Sequence, residues 1–328
     1  MISVGNLNTG GSGKTPIVAH IASLLAAHGE RPAILSRGYG RTSPTPGVTI
    51  VSDGAAVLAP LEHAGDEPLM LAQALPGVAV MVSADRHEAG RVAETTLGAT
   101  VHVLDDGFQH LGLERDVDLL IAGADDLCDR VLPAGRLREP LTAAASADAL
   151  LVDGSGPAGD DRFKDLLGVG TVFHIQRTIG RPRALASDEP VEVGPGDVIL
   201  ALAGIARPDR FFADLEASGL PPRAKLVFRD HHQYSDADIA SIARAARDAG
   251  ATLILTTEKD AVRLAARSLG GLRIAAVPLT ASIAAPSFAD WLLSRISRRP
   301  APSTQHPAPG TQHPAPGTPH PAPGTRLP

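Results

Sequence analysis

The sequence predicts an α/β protein, with a P-loop NTPase-type parallel-sheet domain followed by a second, smaller α/β domain. Near-continuous apolar strand segments alternate with helical segments, as expected of parallel strands that are covered on both faces. A glycine-rich loop follows the first strand segment and opens the first helix, which is the context of a phosphate-binding loop. The alternation breaks near residues 156–196 and then resumes, and this break indicates two units.

The first unit is predicted over residues 1–155. Its strand segments are residues 3–6, 31–36, 78–83, 100–105, 117–123 and 147–154, and an apolar helix near 14–28 follows the first of them. The segments are rich in valine, leucine, isoleucine and alanine, without strict alternation with polar residues. This composition favours strands inside a covered parallel sheet.

The second unit is predicted over residues 197–297, after an irregular linker at 156–196 with short β-like stretches at 171–177 and 190–196. Its predicted strands are residues 198–206, 225–228, 252–257 and 272–279, and its helices open at Pro208, near 235, at Glu258 and near 286. Residues 298–328 contain three seven-residue repeats of the form TQHPAPG or TPHPAPG. Because proline and glycine dominate and no bulky apolar residue repeats, we expect a disordered tail with polyproline II character.

Composition excludes several classes of function. The 328 residues carry 30 basic and 36 acidic side chains, so the net charge of -6 argues against a nucleic-acid partner bound by overall charge. The single cysteine, Cys128, rules out an internal disulfide framework and a cysteine-cluster metal site. No apolar run reaches the roughly 18–20 residues that span a bilayer. We expect a monomer that is soluble or touches a membrane only at its surface.

The strongest local signal is a Walker A-like loop at residues 8–15. Its members are Asn8, Thr9, Gly10, Gly11, Ser12, Gly13, Lys14 and Thr15. Small residues let backbone N–H groups surround phosphate oxygens, while Lys14 would reach the β- and γ-phosphates and Thr15 would bind Mg²⁺. The strict pattern has glycine where Asn8 stands, and asparagine tolerates left-handed backbone angles. The loop therefore predicts a nucleoside triphosphate and Mg²⁺ as ligands.

Two carboxylates follow a later strand segment. Asp105 is the last residue of the strand segment 100–105, and Asp106 follows it directly. The carboxyl ends of parallel strands are where sites form in such sheets. They are predicted to organise Mg²⁺, and the sequence leaves open which one touches the metal. The guanine-reading pattern Asn-Lys-x-Asp is absent, since residues 257–260 read TEKD, so ATP is favoured over GTP.

Further polar clusters follow the strand segments in a fixed order. They read SRGYG at 36–40, GDEP at 65–68, DDGFQH at 105–110, LPAGRLREP at 132–140, DHH at 230–232 and TEKDAV at 257–262. Together with GNLNTGGSGKTP at 5–16, this combination resembles the tetraacyldisaccharide 4′-kinase family, the lipid A 4′-kinases, over roughly residues 2–293. The resemblance implies transfer of the ATP γ-phosphate to the 4′-hydroxyl of a tetraacyldisaccharide 1-phosphate in lipid A biosynthesis. It also implies two α/β domains, Mg²⁺, a lipid substrate, and a cytoplasmic enzyme held peripherally at the cytoplasmic face of the inner membrane.

The resemblance also implies roles for single residues. Asp66 is the favoured base and His231 its partner from the second unit, with His232 as the adjacent alternative. The catalytic set is Asp66, His231, Lys14, Arg86, Arg138 and Glu139, and Ser36, Arg37, Gln109 and His110 are candidates for substrate binding. Structural roles remain open, because Asp66 also suits a helix N-cap and His231 a turn. Lys259 and Asp260 are expected to organise the second unit.

Two alternatives stay open at the level of the sequence. The chain also fits a P-loop NTPase of metallochaperone or regulatory type with no lipid acceptor, although that class does not explain GDEP together with DHH.

Family members usually carry some tens of residues before the phosphate loop, including an apolar or amphipathic helix used at the membrane. This sequence begins at Met1 with its first strand, so either its start lies further upstream or this member lacks that helix.

Overall fold

The computed structural model describes residues 1–153, 159–265, 267–283 and 286–297. The predicted tail at 298–328 and the predicted boundary between residues 155 and 156 lie outside these ranges. The strands are β1 (Ile2–Asn6), β2 (Pro32–Ser36), β3 (Thr49–Asp53), β4 (Ala79–Val82), β5 (Val101–Asp105), β6 (Val117–Ala122), β7 (Ala149–Asp153), β8 (Val172–Ile179), β9 (Arg183–Ala184), β10 (Ile199–Ala203), β11 (Ala224–Val227), β12 (Leu253–Thr257), β13 (Ile274–Val277) and β14 (Leu279–Ile283).

Helices connect most of these strands. They are α1 (Lys14–Ala27), α2 (Leu61–Ala64), α3 (Asp66–Ala74), α4 (Arg86–Leu97), α5 (Asp160–Leu167), α6 (Pro208–Ala217), α7 (Asp236–Ala249), α8 (Glu258–Leu264) and α9 (Pro286–Ile296), with 3₁₀ helices η1 (Ala124–Cys128) and η2 (Leu141–Ser146). Within the described ranges, no helix is both long and apolar enough to cross a membrane.

The first sheet has nine strands in the order β14-β8-β7-β6-β1-β5-β2-β4-β3. All neighbours are parallel except the edge strands β14 and β3, which pair antiparallel with β8 and β4. β1 lies between β5 and β6, and its residues Ile2 and Val4 are fully buried. The carboxyl ends of β1, β2 and β5 therefore meet at one edge, which is where a parallel sheet forms its site. The predicted α/β fold class is confirmed.

The second sheet is smaller and has the order β11-β10-β12-β13-β9, with only β9 antiparallel. Its helices begin at clear sequence signals. Pro208 takes a first-turn position of α6, where its missing N–H costs nothing, and Ser235 forms a capping box with Asp238 at the start of α7. Thr257 caps α8 by accepting a hydrogen bond from the backbone N–H of Asp260.

The chain returns to the first sheet at its end, which the sequence did not predict. β14 pairs with β8, and Phe288 and Leu292 of α9 are buried in the core of the first sheet, where Phe288 meets Phe173 edge to face at 5.0 Å. The expected linker strand at 171–177 is β8 of that same sheet. The sequence places this helix in the second unit, because it follows the strands of that unit along the chain.

The other expected linker strand, at 190–196, is absent from the structure. Pro190 makes only an isolated bridge with Arg183. The segment also contains Pro195 between two glycines, and proline cannot donate to a strand ladder. The segment consequently covers the second sheet without joining it as a strand: Val191 and Val193 pack against the core of that sheet.

Candidate active site

A cleft of about 1120 Å³ lies between the phosphate loop, the carboxyl edge of the first sheet and loops of the second sheet. Most of the predicted site residues line it. They are Thr9, Gly10, Gly11, Ser12, Gly13, Lys14, Thr15, Ser36, Arg37, Arg86, Asp105, Asp106, Gln109, His110, Arg138 and His231. Three predicted residues, Asn8, Asp66 and Glu139, do not line it. The structure thus brings most of the predicted set to one place.

The phosphate loop is built for an anion. Gly13 has a φ of 78° and precedes α1 without a side-chain cap, so the first N–H groups of the helix are left for a ligand. Gly10 has a φ of 149°. A Cβ on either glycine would meet nothing within 4 Å, so backbone conformation and not crowding requires glycine here.

Asn8 does not have the left-handed conformation that the sequence suggested. Among the described non-glycine residues, only Asp106, Asp188 and His231 have a positive φ. Asn8 is buried, and its amide Nδ2 donates to Asp126 Oδ1 at 2.6 Å while its Oδ1 accepts from Asn6 Nδ2 at 2.7 Å. Asn8 therefore ties the phosphate loop to η1 by its side chain.

Lys14 lies between two polar groups at the base of the cleft. Its Nζ donates to Asn6 Oδ1 at 2.9 Å and lies 3.3 Å from Asp106 Oδ1. Arg138 Nη1 donates to both Asp106 oxygens at 3.0 Å and to Gln109 Oε1 at 2.8 Å. Burial favours the protonated form of Asp106, but Lys14 and Arg138 outweigh it and lower the pKa of this carboxyl. Asp106 is thus an anion between two cations.

Asp105 is a better candidate than Asp106 for binding Mg²⁺. Burial raises the pKa of its carboxyl to about 7, and the negative charge of Glu67 adds to this effect. Its Oδ1 is buried and has no hydrogen-bond partner. A buried carboxylate oxygen without a partner is costly unless a cation or a proton satisfies it. Asp105, with the buried hydroxyl residue Thr15 in the same cleft, therefore fits a Mg²⁺ ion.

The described residues contain no group of three or more histidine, cysteine or carboxylate side chains placed to hold a metal. This does not conflict with Mg²⁺ at Asp105. In nucleotide sites Mg²⁺ is usually bound by one or two protein groups together with phosphate oxygens and water.

Asp66 and His231 form a hydrogen-bonded pair across the two units. Asp66 is the first residue of α3 in the first unit, whereas His231 lies in the loop between β11 and α7 in the second. The distance from His231 Nδ1 to Asp66 Oδ2 is 3.0 Å. Asp66 is 5% exposed and lies behind the imidazole, which itself faces the cleft.

The pair has shifted proton affinities. The hydrogen bond that His231 donates to Asp66 raises the pKa of the imidazole. Burial would raise the pKa of Asp66, but the opposing effects of His231, Lys259 and Arg263 are together larger and lower it. The Asp66 side chain does not cap α3, because its Oδ1 accepts a hydrogen bond only from the backbone N–H of the adjacent residue Glu67.

Lys259 reaches across the cleft instead of organising only its own unit. Its ammonium forms an ion pair with Glu67 of α3, and both side chains line the cavity. The sequence did not indicate this contact, although Glu67 belongs to the GDEP cluster and Lys259 to the TEKDAV cluster. Tyr39 also packs here, with its ring 5.0 Å from that of His231 in an edge arrangement.

Arg86 of the predicted catalytic set and Arg37 of the predicted substrate-binding set form a positive region of the cleft. Arg86 is buried, and burial together with the nearby charge of Arg37 lowers its pKa. Ser36 is buried beside Arg37, and His110 lies in the same wall with a pKa that burial and Arg86 lower. Two neighbouring guanidinium groups in one cleft are suited to an anion.

Three further arginines line the opposite wall of the cleft, and the sequence gave them no role. Arg207 pairs with Asp125 at 3.0 Å, Arg210 with Asp153 at 3.1 Å, and Arg177 with Asp214 at 2.6 Å. Each pair joins the first sheet or its connections to α6 or the residue before it. The signal for two of them was present in the sequence, in the cluster AGIARPDRFF at 203–212.

The central strand of a parallel sheet leads here into a phosphate loop, followed by an uncapped helix that begins with a lysine and by a buried carboxylate beside it. These features define a P-loop phosphate-transferring protein. A family model described as tetraacyldisaccharide-1-P 4′-kinase matches residues 1–297. The chain belongs to this family.

Individual relatives agree with this assignment. The tetraacyldisaccharide 4′-kinase of Syntrophus aciditrophicus is 42% identical over 286 residues, covering 81% of this chain and 75% of that protein. The Koribacter versatilis enzyme is 43% identical over 273 residues, covering 80% and 78%. The crystal structure of LpxK from Aquifex aeolicus in complex with ATP matches with a TM-score of 0.71 and 35% identity, over 90% of this chain and 87% of that one. The predicted ATP-dependent lipid A 4′-kinase is thereby confirmed, and the regulatory NTPase is not favoured.

Proposed function

We propose that this cleft transfers the γ-phosphoryl group of ATP to the 4′-hydroxyl of a tetraacyldisaccharide 1-phosphate, and that the Asp66–His231 pair accepts the hydroxyl proton. In this reaction the bond from Pγ to the β,γ-bridging oxygen breaks and a bond from the 4′-oxygen to Pγ forms. The hydroxyl proton passes to the pair and ADP leaves. The observation that carries the proposal is the 3.0 Å hydrogen bond between Asp66 and His231 beside the cleft that the phosphate loop lines.

The pair would work as an imidazole held by a carboxylate. Asp66 was the base favoured by the sequence, but it does not line the cleft, whereas His231 does. We therefore assign proton acceptance to His231 Nε2, with Asp66 accepting the Nδ1–H hydrogen bond and stabilising the imidazolium. Asp66 remains essential to this arrangement because it fixes the orientation of the ring.

The remaining residues would position and neutralise charge. Lys14 and the backbone of residues 10–15 bind the triphosphate, and Arg138 keeps Asp106 and Gln109 in place below it. Arg37 and Arg86 suit either the 1-phosphate of the acceptor or the charge of the transferring group. Phosphoryl transfer needs little covalent chemistry from the protein, so positioning and electrostatics carry most of the rate.

Mg²⁺ would be held by Asp105 and Thr15, with Asp106 as a neighbour that already has two cationic partners. The ion supplies charge neutralisation of the triphosphate when it is bound. Its involvement is tested by removing divalent ions with a chelator, which should abolish transfer, and by restoring activity with added Mg²⁺.

The acceptor is a lipid, so the enzyme has to meet it at a membrane surface. We infer that it acts as a monomer, peripherally at the cytoplasmic face of the inner membrane, where ATP is present. One chain supplies both walls of the cleft, which supports a monomer. Flotation of the purified protein with liposomes, followed by size measurement of the free protein, tests both statements.

The central experiment uses γ-labelled ATP and tetraacyldisaccharide 1-phosphate in mixed micelles. Label in the lipid product supports the proposal. Release of labelled phosphate without an acceptor, and no labelled lipid, would instead indicate a regulatory NTPase.

A further inference from the structure

Arg263 of α8 has an almost completely buried guanidinium that the proposed chemistry does not use. Only 3% of the residue is exposed. Its Nη2 donates to the carbonyl oxygen of Gly204 at 3.1 Å and to Asp260 Oδ1 at 3.0 Å, and its Nε donates to the carbonyl oxygen of Lys259 at 3.1 Å. Its Nη1 lies 3.4 Å from the carbonyl oxygen of His232. A guanidinium with this many partners is fixed in one orientation.

The same guanidinium lies near Asp66 and near the backbone of the residue that follows His231. Its Nε lies 3.7 Å from Asp66 Oδ2, across the boundary between the units. The carbonyl that Nη1 approaches belongs to His232, the residue next to His231. His231 has a φ of 55°, a left-handed conformation that a non-glycine residue keeps only when its surroundings hold it. Arg263 is therefore part of what holds this turn.

A buried network keeps Arg263 itself in place. Asp260 is fully buried and accepts from the Tyr234 hydroxyl and the Thr257 hydroxyl, both at 2.7 Å, and from the Gly204 N–H at 3.0 Å. A buried ion pair is stable when further hydrogen bonds satisfy both partners, and this one meets that condition. A Cβ on Gly204 would lie 2.9 Å from Asp260 Oδ1, so glycine is needed for the approach.

We propose that Arg263 is a positioning residue for phosphoryl transfer, which holds the His231 turn against Asp66 across the boundary between the two units. The inference rests on the proposed function, in which this pair accepts the proton. Arg263 does not line the cleft and touches no substrate, so it acts through the pair.

Charge also reaches the pair from several elements. The charged groups around Asp66 are His231 from the β11–α7 loop and Lys259 and Arg263 from α8. Asp230 acts on His231, and Glu67 of α3 pairs with Lys259. The positive charge of Arg263 opposes protonation of the pair. Without it, the pair should hold its proton to higher pH, and the acidic limb of the kcat profile should move in the same direction.

The test uses the full chain with ATP, Mg²⁺ and tetraacyldisaccharide 1-phosphate in mixed micelles. Arg263→Met should lower kcat roughly 10- to 100-fold by misplacing the pair, with KM for ATP unchanged. It should also shift the acidic limb of the kcat profile to higher pH by about one pH unit. Arg263→Lys keeps the charge but not the fork, so its limb should stay near that of the wild type while kcat recovers only in part. Tyr234→Phe is the matched control, because it removes a buried hydrogen bond of the same network without touching Asp66.

Tyr234→Phe should lower the melting temperature and leave the acidic limb in place. If Arg263→Met and Tyr234→Phe cause the same loss with unmoved limbs, Arg263 is merely structural and the inference is wrong. If Arg263→Met does not fold, Arg263→Lys decides, since wild-type kcat in that variant also overturns the inference. Asp66→Asn separates the two proposals: an active Asp66→Asn enzyme contradicts the proposed Asp66–His231 pair, whereas an inactive one beside a wild-type-like Arg263→Met contradicts only the role of Arg263.

Discussion

Lys14 illustrates how single residues prepare the cleft for a polyanion. Its ammonium lies 2.9 Å from Asn6 Oδ1 and 3.3 Å from Asp106, beside an uncapped helix N-terminus. Lys14→Met should lower phosphoryl transfer by at least about 10²–10³-fold, because one preorganised charge contact to the transferring group is lost. Steady-state transfer to lipid measures the effect, and circular dichroism checks the fold. Lys164→Met, at a partly exposed lysine of α5, is the control and should keep full activity.

The Asp66–His231 pair makes a second prediction at the residue scale. Asp66→Ala and His231→Ala should each lower kcat strongly with little effect on ATP affinity, because neither residue belongs to the phosphate loop. If the two act as one unit, the double variant should be little worse than the worse single variant. Fully multiplicative losses would contradict a joint role, and a larger defect in His232→Ala than in His231→Ala would move the role to the neighbouring histidine.

The same pair should make stability depend on pH. The pKa of His231 is raised above its usual 6.5, so its contribution to stability is complete below 6.5 and is lost as the pH rises through the raised value. The pKa of Asp66 is lowered from 3.8, so its contribution is complete above 3.8 and is lost only as the pH falls through the lowered value. His231→Gln should therefore reduce the free energy of unfolding most between these two usual values, and least in alkaline buffer.

Urea unfolding of the wild type and His231→Gln across this pH range provides the measurement. The control is the same substitution in an Asp66→Asn background, where the pH dependence of the difference should vanish. A difference that stays constant with pH in the wild-type background would rule out the ion pair as its source.

At the scale of elements, β1 and the turn after β5 pack against each other without space for a side chain. The Gly107 N–H donates to the carbonyl oxygen of Val4 at 3.1 Å, and a Cβ on Gly5 would lie 2.8 Å from the backbone nitrogen of Phe108. Gly5→Ala should therefore push away the turn that carries Asp105 and Asp106. We expect a loss of about 1–3 kcal/mol in the free energy of unfolding, and a fall in kcat.

Gly112→Ala is the matched control for this substitution. A Cβ on Gly112 meets nothing within 4 Å, and its backbone is not in the left-handed region. Denaturant unfolding and kinetics of both variants should separate them. Equal behaviour of Gly5→Ala and Gly112→Ala would show that the turn tolerates displacement.

The elements also show what the sequence could predict. Strands β1, β2, β5 and β6 are buried on both faces, and they were predictable because their residues are mostly apolar and do not alternate strictly with polar ones. The edge strand β3 was missed, since only part of it is buried and its residues TIVSD lack a distinctive pattern. For helix α3 the sequence offered only the alternative role of Asp66 as an N-cap and not the extent of the helix, because Asp66, Glu67 and a proline at its start obscure the apolar pattern.

Long-range contacts set the limit of that prediction for the site. The motifs placed Asp66 and His231 as partners by resemblance, but nothing local in the sequence shows that Lys259 meets Glu67 or that Arg263 faces Asp66. Those contacts join residues about two hundred positions apart. They depend on how the second sheet packs against the first. That arrangement is determined by side-chain packing and not by a local sequence pattern.

For the whole molecule, ion pairs on the far side of the cleft link the two units. Asp153 of β7 accepts from Arg210 of α6 at 3.1 Å, and Arg177 of β8 pairs with Asp214 of α6; within the first sheet, Arg177 also donates to Asp153 at 3.3 Å. Asp153 does not line the cleft, so changing it does not remove a ligand contact. If these pairs favour closure of the units, Asp153→Asn should open the cleft and lower kcat/KM.

The expected size follows from the weakness of partly exposed ion pairs, which contribute up to about 1 kcal/mol each. A loss of that order in the closed state corresponds to roughly a five-fold fall in kcat/KM. Small-angle scattering without ligand should show a larger radius of gyration for Asp153→Asn than for the wild type. Added salt should lower kcat/KM more steeply in the wild type than in the variant, because salt screens ion pairs that the variant no longer has. The matched control is Asp188→Asn, which breaks the exposed pair with Arg183 of β9, the edge strand of the second sheet. Identical scattering and salt dependence for wild type and Asp153→Asn would mean that packing alone, and not charge, holds the two units together.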